Sequence, residues 1–246
     1  MSEMRIAMIT RRFWPLVGGA EMVMANLATE FQRQGAKPVL LTAQWDPIWP
    51  KKFTHRDFEV QRLPNPNRRG WGTFVYMDAL SRWLRENRNL YDVAFVSMLK
   101  HSAYSAVTAC RKQRQSVVLR VEGGGDTGDC NWHQLARFGS RIRRRCKLAE
   151  AVIAPSEATH DELVNAEFPL NRIHHIPNGV KLAEKQRTNE NMILARQTLA
   201  NNNHDFTSHA EHKVSVYTGR LTRNKGLFEL LDAWRVVGNQ NPSSQL

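Results

Sequence analysis

The most constraining feature of this chain is the order of elements in its first forty residues: strand, glycine loop, helix, strand. Arg5–Thr10 is a short apolar run, and a turn-rich stretch through Pro15, Gly18 and Gly19 follows it. From Glu21 to Gln34, apolar residues recur at Met22, Val23, Ala25, Leu27, Ala28 and Phe31, and Gly35 stops the pattern. That spacing predicts a helix. Pro38–Thr42 is a second strand. A strand–helix–strand unit of this kind pairs its strands in parallel through a right-handed crossover.

The alternation continues. Residues 45–73 lack regular periodicity and carry Trp45, Trp49 and Trp71, which predicts a long loop holding one strand, Phe58–Leu63. Beyond it come a helix over Phe74–Arg85, a strand over Tyr91–Met98, a helix over His101–Gln113 and a strand over Ser116–Val121. That strand runs into a glycine cluster, Gly123–Asp129, and a basic helix over Leu135–Leu148. Ala151–Ala154 is a strand, Ser156 caps a helix reaching about Phe168, and Ile173–Ile176 is a strand ended by Pro177-Asn178-Gly179. Five or six strands alternating with helices describe a doubly wound parallel α/β layer.

The expected division is residues 1–180 as that domain, 181–212 as a polar linker with one short helix, and 213–246 as the start of a second domain. The last piece repeats the opening pattern: strand Val214–Thr218, loop Gly219–Gly226, helix Leu227–Val237. One strand and one helix bury too little surface to stand alone. They either dock on the first domain or begin something longer.

Composition narrows the function. With 246 residues and 41% apolar content, general disorder and a disulfide-stapled miniprotein are excluded. Three cysteines without a CxxC pair read as reduced thiols in a cytoplasmic protein. Cys130-x-x-His133 and His174-His175 are too isolated for a metal site. No apolar run approaches the ~18 residues of a spanning helix. The net charge of +12 favours a polyanion: nucleic acid, anionic lipid or a phosphorylated substrate. Recognised nucleic-acid patterns are missing, so no specific nucleic-acid partner is expected.

Two loops are candidates to take an anion, the alternatives being a tight strand-to-helix turn with no ligand for the first and a solvated basic turn for the second. In Pro15-Leu-Val-Gly18-Gly19-Ala-Glu21, backbone N–H groups and a helix dipole face the carboxyl edge of the sheet. This is neither GxGxxG with an acid for a nicotinamide ribose nor GxxxxGK[ST], which argues against an NAD dehydrogenase and a P-loop NTPase. In Gly219-Arg220-Leu-Thr-Arg223-Asn-Lys225-Gly226, a forked cation and a point charge straddle a strand-to-helix loop and suit a diphosphate. Arg137, Arg141, Arg143, Arg144, Arg145 and Lys147 crowd the basic helix, which reads either as a solvated face or as a surface docking on anionic lipid.

Pro15-x-x-Gly-Gly-x-Glu21, Ala154-Pro-Ser-Glu-Ala-Thr159, Ile173-x-x-Ile-Pro-Asn-Gly-Val180 and Gly219-Arg-Leu-x-x-x-Lys-Gly226 occur in order. Together they resemble the retaining glycosyltransferases of family 4 (group 1), of GT-B fold. The resemblance implies an N-terminal, acceptor-binding Rossmann-like domain to about residue 180 and a nucleotide-sugar-binding domain from about 213. It implies sugar transfer from a nucleotide diphosphate sugar to a glycan or lipid-linked acceptor hydroxyl, with retention, in cell-surface or exopolysaccharide assembly on the cytoplasmic face of the membrane. Arg220 and Lys225, with Gly18 and Gly19, would hold the donor diphosphate, and no metal or other cofactor is expected because protein cations neutralise the leaving group. Glu122, Gly123, Gly124 and Asp129 are acceptor-side candidates, and Arg141, Arg144 and Arg145 are membrane-contact candidates. Lys181 stands where relatives carry Asp, and Glu122 where many carry His. The family's later glutamate pair lies beyond residue 246. The catalytic group is therefore not assigned; an acceptor-binding fragment completed by a partner chain is the alternative reading, and a basic nucleic-acid-binding protein the more distant one.

Overall fold

The computed structural model describes residues 3–67, 71–180, 182, 187–202, 214–219, 221 and 223–241. The chain forms two compact units, Met1–Gly179 and Val180–Leu246.

The first unit is one sheet with helices on its faces. Its elements are β1 (Arg5–Ile9), α1 (Gly19–Arg33), β2 (Lys37–Ala43), β3 (Lys52–His55), β4 (Phe58–Leu63), α2 (Trp71–Glu86), β5 (Val93–Ser97) and α3 (His101–Lys112). There follow β6 (Ser116–Arg120), α4 (Asp129–Leu135), α5 (Gly139–Cys146), β7 (Ala151–Ala154), α6 (Glu157–Asn165) and β8 (Ile173–His175). The strand order is β3-β4-β2-β1-β5-β6-β7-β8, and every neighbouring pair is parallel except β3–β4. The parallel strands therefore deliver their following loops to one edge of the sheet. The order reverses between β1 and β5, and that junction is the topological switch point where open α/β sheets bind ligands.

Alternation along the strands builds two cores. Ala7, Ile9, Ala94, Val96, Val117 and Leu119 face Tyr76, Leu80 and Leu84 of α2 and the small side chains of α3. Their neighbours Ile6, Met8, Leu40 and Phe95 face Met24, Ala25 and Ala28 of α1. A period of two sends successive side chains to opposite faces, which is why both faces carry helices. Helix α6 starts in a capping box: the Thr159 backbone N–H donates to Ser156 Oγ, and the Ser156 N–H donates to Thr159 Oγ1.

Four expectations need correction. The stretch 45–73 holds two strands, because β3 turns back on β4 through Arg56 and Asp57, both at positive φ (46° and 70°). That two-residue turn matches the twist of a hairpin without the glycine that usually marks it. The basic helix over 135–148 is instead α4 and α5, broken where Ala136 is extended (ψ 140°). Gly139 passes so near α4 that a Cβ there would stand 2.1 Å from the His133 carbonyl oxygen, so only glycine permits the crossing. In the second unit, the linker helix α7 (Asn189–Asn202) has 14 residues rather than being short. The strand expected over Val214–Thr218 is reduced to a single bridge at Val214, before a 3-10 turn at Arg223–Lys225 and α8 (Leu227–Gln240). None of the described residues of this unit is buried, as expected of a piece with so little surface to pack.

Candidate functional site

Three features meet the carboxyl edge of the first unit's sheet. The first is the glycine loop. Gly18 N-caps α1, and a Cβ on it would lie 2.5 Å from Glu21 Oε2, whereas Gly19 has open space around it. The Glu21 carboxylate thus folds back over the helix's positive end, 3.9 Å from Arg12 Nε. A second anion reaching this helix would meet Gly19, not Gly18.

The second feature gathers the acceptor-side candidates. Glu122 Oε1 accepts from Ser97 Oγ at 2.7 Å and from the Arg120 guanidinium, whose other arm donates to Asn178 Oδ1. Arg120 is only 3% exposed, and a buried guanidinium persists because both of its arms are bonded. Glu122 Oε2 has no hydrogen-bond partner among the described residues. The Glu122 N–H donates to Asp129 Oδ2 at 3.1 Å, which brings those two candidates together, but Asp129 is enclosed and acts as a clasp for the loop. Burial, more than any neighbour, pushes its carboxyl from 3.8 up to about 6. Gly123 is open, while Gly124 packs on Glu162, whose Oε1 accepts from the Gly125 N–H at 2.6 Å. A Cβ on Gly128 would stand 2.8 Å from the Gly123 carbonyl oxygen, so the loop closes only with glycine there. Behind it His133 donates from Nε2 to the Leu99 carbonyl at 2.6 Å, and burial lowers its imidazole from 6.5 to about 4.

The third feature was not singled out in the sequence. Arg11, just beyond β1, lies over Trp45 (5.4 Å) and Tyr76 (5.5 Å), and its Nη2 donates to Thr73 Oγ1 at 2.9 Å and Asn65 Oδ1 at 3.2 Å. Lys100, at the N-cap of α3, sits 3.9 Å from Asp129 Oδ1 and 5.5 Å from the Trp132 ring. His101 stands edge-on to Trp132. The available signal was position: Arg11 and Lys100 directly follow the two strands that flank the switch point. Of the three loop tryptophans, Trp45 stacks on Arg11, Trp49 stacks on Arg62, and Trp71 is exposed.

Away from this edge, Tyr104, Arg141, Arg144, Arg145 and Leu148 line a cavity of about 300 Å³. Arg141 and Arg145 lie one turn apart over the Tyr104 ring, at 5.8 and 5.7 Å. None of the three arginines pairs with a carboxylate among the described residues, and Leu135 and Phe138 are exposed nearby in the chain. Cys110, Cys130 and Cys146 are buried free thiols. Among the described residues, no group of three metal-ligating side chains is assembled, and no helix is long and apolar enough to cross a membrane. In the second unit, Lys225 is exposed at the turn before α8, and Gly226 caps that helix at φ 71°. Arg220 and Lys181 lie outside the described residues.

A mostly parallel, doubly wound sheet with a charged, glycine-lined edge at its switch point defines a Rossmann-like domain, here of GT-B type. The sequence profile of Glycosyltransferase Family 4 matches residues 17–184, and the chain belongs to that family. No curated protein matches the sequence. Among solved structures, it is similar to Anabaena Alr3699/HepE in complex with UDP and glucose, with 17% identity, a TM-score of 0.68, and coverage of 98% of this chain and 60% of that one. It is also similar to sucrose-phosphate synthase from Thermosynechococcus elongatus, with 17% identity, a TM-score of 0.71 and coverage of 98% and 61%. A putative UDP-N-acetylglucosamine 2-epimerase from Listeria monocytogenes shares the fold at 13% identity, a TM-score of 0.58 and coverage of 99% and 61%. The chain thus spans about 60% of the length of these structures.

Proposed function

We propose that this chain is the acceptor-binding part, with the beginning of the donor-binding part, of a retaining glycosyltransferase. The enzyme transfers a sugar from a nucleotide diphosphate sugar to an acceptor hydroxyl in cell-surface or exopolysaccharide assembly. The observation that carries the reading is the family match over residues 17–184, which spans the whole edge from the first glycine loop to Asn178. The UDP-glucose complex of the similar HepE protein favours a uridine donor.

In this reading the costly event is departure of a nucleoside diphosphate while the sugar gains positive charge. Fixed cations on the leaving phosphates supply the rate, and Arg220, Lys225, Gly18 and Gly19 are the residues assigned to them. No metal is required. Glu122, gripped by Ser97 and Arg120 with Oε2 unengaged, accepts a hydrogen bond from an acceptor hydroxyl, and the open Gly123 lets the sugar approach the main chain. The arginine cavity on α5 seats the protein on anionic lipid at the cytoplasmic face, which brings a lipid-linked acceptor to the edge.

The test is calorimetric titration with UDP, GDP and UDP-glucose, followed by NMR assignment of the product anomer. Binding lost in Arg220→Ala with Lys225→Ala, together with a retained anomeric configuration, supports the proposal; an inverted product or epimerisation without transfer overturns it. The coverage of about 60% favours a second reading, in which another polypeptide segment supplies the rest of the donor site. Silence toward every nucleotide, restored by adding such a segment, selects that reading.

A further inference from the structure

At the carboxyl ends of β5, β6 and β8, one guanidinium holds two side chains whose remaining polar atoms are unspent. Arg120, the last residue of β6, donates from Nη1 to Glu122 Oε1 and from Nη2 to Asn178 Oδ1. Ser97, the last residue of β5, donates to the same Glu122 oxygen at 2.7 Å. Asn178 follows β8, which ends at His175, so the guanidinium reaches past the end of β7 to meet it.

The chemistry of the donor fixes how Asn178 is turned. A guanidinium only donates, so the amide presents its carbonyl oxygen to Arg120 and its NH2 group faces away. That NH2 group makes no hydrogen bond among the described residues, and Asn178 is exposed. Glu122 is set by the same logic. Both donors converge on its Oε1, which leaves the acceptor capacity of Oε2 unused, and the side chain keeps 10% exposure. Arg120 is enclosed and planar with both arms engaged, so neither partner swings away without stranding a buried charge. A free acceptor and a free donor are thereby held as a pair on the two arms of one fork. Each is followed by a glycine, Gly123 and Gly179, with open space where a Cβ would stand. A sugar ring can therefore reach the main chain beside either group.

We infer that Glu122 and Asn178 form one subsite for two adjacent ring hydroxyls of the acceptor: Glu122 Oε2 accepts from one, and the Asn178 amide donates to the oxygen of its neighbour. The inference rests on the acceptor-side reading of Glu122 above and narrows the substrate class. A hydroxyl both donates and accepts, so a carboxylate beside an amide matches a pair of them and leaves one partner unused against a lone hydroxyl. The hydroxyl that Glu122 receives is then a secondary one with a free neighbour on the same ring, not a primary hydroxyl or one flanked by a deoxygenated carbon. Asn178 is the specificity-determining residue in this scheme.

The experiment titrates the full chain by NMR with the methyl glycosides of glucose, mannose and galactose and with the 3-deoxy analogue of each. Removing the 3-hydroxyl leaves no two ring hydroxyls adjacent. At least one parent glycoside should bind, its 3-deoxy analogue ~10-fold more weakly. The side-chain NH2 resonances of Asn178 in the wild type should shift only with the parent. Asn178→Asp is the decisive variant, because its carboxylate still accepts from Arg120 while the donor to the sugar is gone. Its melting temperature should be no lower than that of the wild type, yet the parent glycoside should bind ~10-fold more weakly and no better than the 3-deoxy analogue. A residue with only a structural role would show the reverse. If Glu122→Gln weakens binding and Asn178→Asp does not, the inference falls and the acceptor-side reading stands; if neither does, both fall. UDP binding in these variants should be unchanged, and its failure in the wild type counts against the transferase reading alone. No binding of any parent glycoside, or equal binding of parent and 3-deoxy analogue, overturns the inference.

Discussion

Arg120 and the α5 arginines are the same residue type handled in opposite ways. Arg120 is shut into the sheet edge with one arm on Glu122 and the other on Asn178. Arg141, Arg144 and Arg145 ring a shallow cavity, with an aromatic floor and no acid partner among the described residues. A buried cation needs its counter-charge from within the fold, so Arg120 belongs to the architecture. An unpaired one is left for something from outside. Arg11 lies between the two: it is half-buried and bonded to the neutral oxygens of Asn65 and Thr73, with no carboxylate partner among the described residues.

The comparison breaks most sharply at Arg120. Arg120→Met strands the Glu122 carboxylate in the interior and should cost about 3–5 kcal/mol in urea unfolding. A loss under 1 kcal/mol would show that the pair is not a structural element.

A smaller effect comes from pH. Asp129 has its pKa raised from 3.8 to about 6, so the folded state holds a proton the unfolded chain has released, and its contribution to stability falls as pH rises through that window. His133, lowered from 6.5 to about 4, is refused a proton the unfolded chain accepts, and its contribution rises across nearly the same window. Each amounts to about 3 kcal/mol, and they oppose. Measured against the wild type between pH 4 and 6.5, the deficit of Asp129→Asn should shrink as pH rises, while that of His133→Gln should grow. Parallel pH profiles for the two variants would refute this account of the enclosed loop.

Next in size is the capping box that aims α6, and with it Glu162, at the glycine loop. Ser156→Ala should lower stability by about 1 kcal/mol and speed hydrogen exchange of the Gly125 amide; an unchanged exchange rate would uncouple the cap from the loop. The smallest change in stability belongs to the open face. Exchanging Arg141, Arg144 and Arg145 together for Gln should leave the unfolding free energy within about 0.5 kcal/mol, yet abolish salt-sensitive sedimentation with phosphatidylglycerol vesicles. Undiminished sedimentation would assign these arginines to the solvated face alone.

Much of the fold was legible because parallel α/β architecture is written in short-range periodicity. The strands of the core and the helices α1, α2, α3 and α6 all showed in the spacing of apolar residues. The misses share a cause. The β3–β4 turn at Arg56–Asp57 and the break between α4 and α5 depend on a backbone path that the neighbouring chain dictates, and in the second case only Gly139 hinted at it. Val214–Thr218 has the composition of a strand but no ladder among the described residues, because a strand exists only with its partners.

At the site, the sequence named the loops but not which of their side chains are enclosed. Glu122 and Asp129 do meet, but Asp129 turned inward, and nothing in its spacing could show that. Arg120 read as an ordinary strand residue and Arg11 as one more positive charge among many.

By itself the sequence determined the order of strands and helices, the placement of glycine loops after strands and the family, since each depends on residues close together along the chain. Tertiary structure decided which charges are partnered. Whether a guanidinium meets a carboxylate, an aromatic ring or nothing is set by residues tens of positions apart, brought side by side only when parallel strands deliver their loops to one edge.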